Sequence, residues 1–303
     1  MMADHVVHGA SRVWKALMEC VRTLAASRGP VLIQGETGSG KKVIARLLHA
    51  SGPRGKRSFL TLNSRAISKD MFDSALFGCE EGASPGATSS KIGLIAAAEG
   101  GTLFLDEIGE MSGPMQASLL RVLERSEYRQ VGGTLTIRAN VRFVAATNHD
   151  LQEWVHQGKF RDDLLYRINT IPLRVPPLRE RREDIADLAE HFLRTAHVPG
   201  RPPRHLNQKA LAALESYPWP GNVRELRNVI ERLLLLSPTD ATGLISAKDI
   251  LPMLSPQLSR SSQEMAGVTA PLGDGAPEHG VPQEASLDGM GTEGTATARA
   301  CPP

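Results

Sequence analysis

The chain has 303 residues, of which 41% are hydrophobic and 22% charged, and its net charge is only +2. That length holds one large core or two modest domains, and the near-neutral balance argues against a broadly basic nucleic-acid surface. No apolar run reaches the roughly 18 residues of a membrane span. No basic-then-apolar leader opens the chain, and Cys20, Cys79 and Cys301 stand singly, so a reducing cytoplasm is the expected home.

In chain order, apolar strand-like runs alternate with helical patterns. PVLIQG (30–35) is followed by the helical KKVIARLLHA, then SFLTLN (58–63) and GTLFLDE (101–107). PMQASLLRVLER is helical again, and VRFVAATN (141–148) closes the alternation. This pattern predicts an α/β fold, a parallel sheet covered by helices. From Arg181 the period is helical only: REDIADLAEHFLRTA, NQKALAALESY and NVRELRNVIERLLLL. The expected division is 1–177 as an α/β nucleotide-binding subdomain and 178–254 as a helical subdomain, with the boundary near PPLRER (176–181). Residues 256–303 hold seven Gly and six Pro without an aromatic, so 255–303 read as a disordered, low-complexity tail.

GETGSGKK (35–42) lies between the first strand and the first helix of that alternation. Glycines in such a turn let backbone N–H groups curl around phosphates, and a lysine at its end reaches the terminal ones. Gly35, Glu36, Thr37, Gly38, Ser39, Gly40, Lys41 and Lys42 are therefore the candidate ATP-binding residues. A second apolar strand ends 65 residues after Lys41 in Asp106-Glu107. An Asp there can hold Mg²⁺ and the adjoining Glu can polarise an attacking water. The alternative is a Gly-rich turn with two solvated carboxylates. The pattern departs from a P-loop in one respect: Lys42 stands where a Ser or Thr would offer a hydroxyl to Mg²⁺.

Together with LFGCEEGASPGA, GKFRDDLLYRIN, PPLRERREDI and WPGNVRELRNVIER, these residues resemble the AAA+ domain of bacterial enhancer-binding proteins, the activators of sigma-54 RNA polymerase. The resemblance runs over roughly residues 6–253 and implies a P-loop NTPase with a five-stranded parallel sheet and a C-terminal helical lid. It implies that Asn63 holds Glu107 until the nucleotide state changes and that Asn148 senses the γ-phosphate. It implies that Arg161 and Arg167 reach a neighbouring subunit's site and that Arg224 contacts nucleotide from the lid. By charge alone, Arg161 and Arg167 also fit a solvated helix face, and Arg224 a surface pair with Glu225. Hydrolysis with arginines supplied in trans implies a ring of identical subunits, hexameric in the family.

The loop Gly82, Ala83, Ser84, Pro85, Gly86, Ala87 resembles the family's GAFTGA, which grips sigma-54. Ser84 replaces the apolar tip, and fully burying a Phe is worth roughly 1.5–3 kcal/mol. Pro85 fixes its own φ and restricts Ser84. Sigma-54 polymerase is thus an expected partner with a weakened grip, and no sequence-specific DNA-binding element is recognisable. The expected function is an ATP-hydrolysing ring that remodels sigma-54 polymerase to regulate transcription. The alternatives are an AAA+ ATPase with another partner, or a non-catalytic ATP-binding regulator assembling with an active paralogue.

Overall fold

A computed structural model describes residues 9–83, 90–196, 204–236 and 243–254. Ser84, Pro85, Gly86 and Ala87 lie outside the described residues, as does the tail expected from residue 255. All five strands of the central sheet are parallel: β1 (Val31–Gln34), β2 (Phe59–Asn63), β3 (Thr102–Asp106), β4 (Arg142–Thr147) and β5 (Ile171–Arg174). Their spatial order is β2-β3-β4-β1-β5. The runs expected at 30–35, 58–63, 101–107 and 141–148 supply the first four. The fifth, IPLR, turns Ile171 and Leu173 inward and leaves Pro172 and Arg174 exposed, and an edge strand tolerates the proline.

Successive side chains of a strand face opposite ways, and both faces of this sheet are covered, so the strands are apolar throughout. Leu32, Leu62, Leu103, Leu105 and Ala145 enter the core on one face. Val31, Ile33, Phe104, Val144, Ala146 and Leu173 enter the core on the other. That second core is closed by the helix Arg12–Ala25, whose Trp14, Leu17, Val21 and Ala25 recur at helical spacing and are buried. The buried guanidinium of Arg142 fixes the end of this helix, donating to the carbonyls of Ala25 (2.9 Å) and Leu24 (2.8 Å).

Helices Asp184–Thr195, Gln208–Ser216, Asn222–Leu236 and Ala247–Leu254 surround a separate core centred on the fully buried Trp219. The Trp219 indole donates to the Leu214 carbonyl at 2.7 Å, so its one polar atom is satisfied. Gly78–Cys79 pairs antiparallel with Lys91–Ile92. Val131 exchanges backbone hydrogen bonds here, donating to Gly78 O at 2.9 Å and accepting from Glu80 N at 3.0 Å. Gly82 is left-handed at φ 77, with open space around it.

Candidate functional site

The carboxyl ends of β1 to β4 converge, the usual place for a ligand in an open parallel sheet. The loop after β1 turns through left-handed Gly38 (φ 79) and Gly40 (φ 108) before the helix Lys41–Ala50 begins. A side chain on Gly38 would collide with the carbonyl of Gly221, so the lid lies directly on this turn. Gly40 has no side-chain cap; Val43 N and Ile44 N donate to Gly40 O, which leaves the N–H groups of Lys41 and Lys42 to face an anion.

Lys41 is almost fully buried. Its ammonium donates to Gly35 O at 2.9 Å and lies 3.5 Å from Glu107 Oε1. Burial pushes this ammonium down, while the Glu107 carboxylate opposes the shift. Asp106 is pushed up, first by burial and then by the adjoining Glu107 charge, with Lys41 and Lys42 acting against both. Glu107 is held left-handed (φ 55, ψ 54) at the end of β3, a conformation that costs a non-glycine residue about 1–2 kcal/mol. Its Oε2 accepts from Asn148 N at 3.2 Å.

Asn148 also reaches the loop after β1, donating from Nδ2 to Thr37 Oγ1 at 3.2 Å. Its Oδ1 and the hydroxyl of Ser39 are buried and have no partner in the protein. Asn63 lies beside Asp106 in the β2–β3 register, but its amide oxygen accepts from Arg65 N at 3.1 Å within its own turn. Arg224 is exposed and touches the loop through its backbone, its N–H donating to Gly38 O at 3.4 Å. Arg161 is exposed and forks onto Asp163, and exposed Arg167 donates to Leu123 O at 2.8 Å. Lys42 is exposed on the first turn of its helix. Of the partner loop, Gly82 and Ala83 are described, with Ala83 close to Gly132.

Sequence reasoning missed Asn222. Fully buried and left-handed at φ 55, it opens the third lid helix. Its Nδ2 donates to Glu36 Oε2 and Thr37 O, both at 3.1 Å, and its Oδ1 accepts from Leu178 N at 2.8 Å. One amide thus joins the phosphate loop, the interdomain junction and the lid. The signal was present in WPGN, because Asn is among the few residues that adopt a left-handed cap at low cost.

The junction adds two arginines. Arg179 forks onto Glu36, and with the Asn222 bond this holds the Glu36 carboxyl at about 2. Arg181 is buried, donates to Ser39 O at 2.8 Å and stacks 4.1 Å from the centre of the Trp14 ring. Burial lowers its guanidinium to about 10, with Asp184 nearby opposing. Asp184 in turn accepts from Ser11 N (2.7 Å) and Ser11 Oγ (2.9 Å), so the N-terminal helix joins the same network.

The donor set fits a nucleoside triphosphate: an uncapped helix start, a buried lysine and the unpartnered Ser39 hydroxyl. No group of three His, Cys, Asp or Glu side chains able to hold a metal occurs among the described residues. A Mg²⁺ ion here therefore needs phosphate oxygens beside Asp106, its usual mode of binding. No helix among the described residues is long and apolar enough to cross a membrane.

Residues 7–174 match the family described as the Sigma-54 interaction domain, and residues 179–266 match the AAA+ ATPase lid domain. The chain is 47% identical over 232 residues to the DNA-binding transcriptional regulator NtrC of Rhizobium meliloti, covering 77% of this chain and 48% of that protein. It is 46% identical over 269 residues to the alginate biosynthesis regulator AlgB of Pseudomonas aeruginosa, covering 86% and 60% respectively. The chain thus spans about half to three fifths of the length of these relatives. Among solved structures it is similar to NtrX from Brucella abortus in complex with ADP. The TM-score is 0.76 at 33% identity, covering 88% of this chain and 59% of that one.

Proposed function

The chain belongs to the sigma-54 interaction domain family of AAA+ proteins, and from that premise we propose that it hydrolyses ATP as a ring of identical copies, hexameric like the family it resembles, and remodels sigma-54 RNA polymerase. The observation that carries this reading is the contact between Lys41 Nζ and Glu107 Oε1 at 3.5 Å, with Glu107 Oε2 on Asn148 N. This contact supports reading Lys41 as the phosphate-binding cation and Glu107 as the base, beside the backbone of Asn148. When ATP enters, the N–H groups at the loop and helix start hold the phosphates, and the Lys41 ammonium turns to them. Glu107 Oε1 is then free to take the proton of the attacking water as the water–γ-phosphorus bond forms and the bond to the β-phosphate oxygen breaks. Asp106 would hold a Mg²⁺ ion brought in with the nucleotide, which would neutralise charge on the phosphates. Arg161 and Arg167, both exposed, supply positive charge to the neighbouring copy's transition state.

The test is phosphate release against protein concentration, with Glu107→Gln alongside. Turnover per chain is expected to rise with concentration, because the arginines act in trans. Glu107→Gln is expected to lose at least about 100-fold in turnover while still binding ATP. Concentration-independent turnover would overturn the ring, and undiminished turnover in the variant would overturn the base.

A second reading, an ATPase whose partner is not sigma-54, is favoured by Ser84 and Pro85 in the loop. Co-migration with sigma-54 in ADP and aluminium fluoride separates the two. Binding by the native loop supports the activator. Binding only after Ser84→Phe with Pro85→Thr supports the second reading.

A further inference from the structure

One carboxylate stands between the two asparagines that flank Glu107. Glu110 ends the single 3₁₀ turn that begins after Glu107, and its N–H donates to Glu107 O at 3.0 Å, so the two carboxylates are rigidly spaced. Glu110 Oε1 accepts from the Arg65 guanidinium on one side and pairs with His149 Nε2 at 3.1 Å on the other. These contacts hold the Glu110 carboxyl below the usual range, Arg65 contributing first and His149 second.

Each partner belongs to a strand end that meets the nucleotide. Arg65 sits in the turn after β2, where its N–H occupies the amide oxygen of Asn63, and Ser64 N fixes that turn on Asp106 O at 3.0 Å. His149 directly follows Asn148 and is oriented by its own N–H on Thr147 Oγ1 (3.1 Å). Its ring stacks on Trp154 at 4.0 Å between centroids.

We infer that Glu110 is a positioning residue: the Arg65–Glu110–His149 bridge sets the spacing of Asn63 and Asn148 across Glu107, and thereby the geometry in which Glu107 works. This rests on the hydrolytic reading above. In this arrangement the Asn63 amide oxygen accepts from Arg65 N and makes no hydrogen bond to Glu107. Arg65 thus holds Asn63 through its backbone and Glu110 through its guanidinium, and Glu110 meets His149 beside Asn148. All three side chains are partly or largely exposed, and exposed ion pairs add little to stability. A role in stability and a role in positioning therefore predict different measurements.

The experiment compares the full chain with Glu110→Ala, Arg65→Ala, the double variant and Arg65→Lys. All are tested at a protein concentration on the turnover plateau. Glu110→Ala is expected to lower kcat about tenfold, since small misplacements at a reacting centre are costly. Its affinity for a fluorescent ADP analogue should stay within about twofold, and its melting temperature within about 4 °C, the scale of a surface pair in a chain this size. The double variant should be no slower than Glu110→Ala, because the two residues act as one unit, and Arg65→Lys should recover part of the rate.

Unchanged kcat in Glu110→Ala would overturn the inference alone. So would losses that multiply in the double variant, or a fall in kcat matched by equal falls in ADP affinity and melting temperature. A native chain without any turnover would overturn the inference together with the hydrolytic reading.

Discussion

Two pairs of arginines in this chain behave in opposite ways. Arg179 and Arg181, at the junction of sheet and lid, bond across it to Glu36 and Ser39, and Arg181 is only 2% exposed. Arg161 and Arg167 are exposed, and among the described residues their guanidinium groups bond to Asp163 and to the Leu123 carbonyl. Of the junction pair only Arg181 is buried by its own chain; Arg179 is as exposed as Arg161 and differs in reaching across the junction to Glu36. Under the proposed in-trans role, a group that serves another copy is left at the surface. The difference teaches which roles one chain can display. The junction arginines bond to the phosphate loop of their own chain, whereas the bonds of Arg161 and Arg167 among the described residues do not reach that loop.

The sharpest way to break that comparison is Arg167→Ala. An arginine supplied in trans is worth about 10³-fold or more in turnover, and Arg161→Ala should show a loss of the same order. Melting temperature should barely move, since both side chains are exposed. Mixing Arg161→Ala with Glu107→Gln chains, each nearly inactive, should restore measurable phosphate release through interfaces that hold one good half from each. A mixture as inactive as its parents would remove the in-trans role.

Asn222→Ala probes the cis side. It leaves buried groups on Leu178 and Thr37 without their partner, at about 1–3 kcal/mol, and places alanine at φ 55, which costs about 1–2 kcal/mol more. Asn222→Gly keeps the backbone conformation and should recover only the second part. Urea unfolding of the two variants measures the split. If both are as stable as the native chain, the amide is not a link.

The smallest expected effect is at Arg179. The Glu36 carboxyl stands at about 2 in the fold against an ordinary 4.5. A depressed carboxyl stabilises fully above its ordinary value, and that contribution is lost as pH falls from about 4.5 toward 2. Both side chains are more than a third exposed, so the pair is worth at most about 1 kcal/mol at neutral pH. Arg179→Ala should therefore lower stability slightly at pH 7, and the difference from the native chain should shrink in acid. A difference that stays constant down to pH 3 would show that Arg179 acts through packing.

The sequence by itself determined the α/β alternation, four of the five strands, the phosphate loop and the Asp106-Glu107 pair. These are local patterns: apolar periodicity, glycines at a strand-to-helix turn, and carboxylates at a strand end. It did not reveal β5, because four residues that include Pro172 are too short a run to stand out as a strand. Nor did it single out Asn222, Arg181 or Glu110, each a lone polar residue in an ordinary-looking segment. Their roles arise from contacts between residues far apart in the chain: Asn222 with Thr37, Arg181 with Ser39, Glu110 with Arg65 and His149. Only the tertiary structure decided these, because a hydrogen bond between strand ends or across a lid depends on packing that no local period encodes.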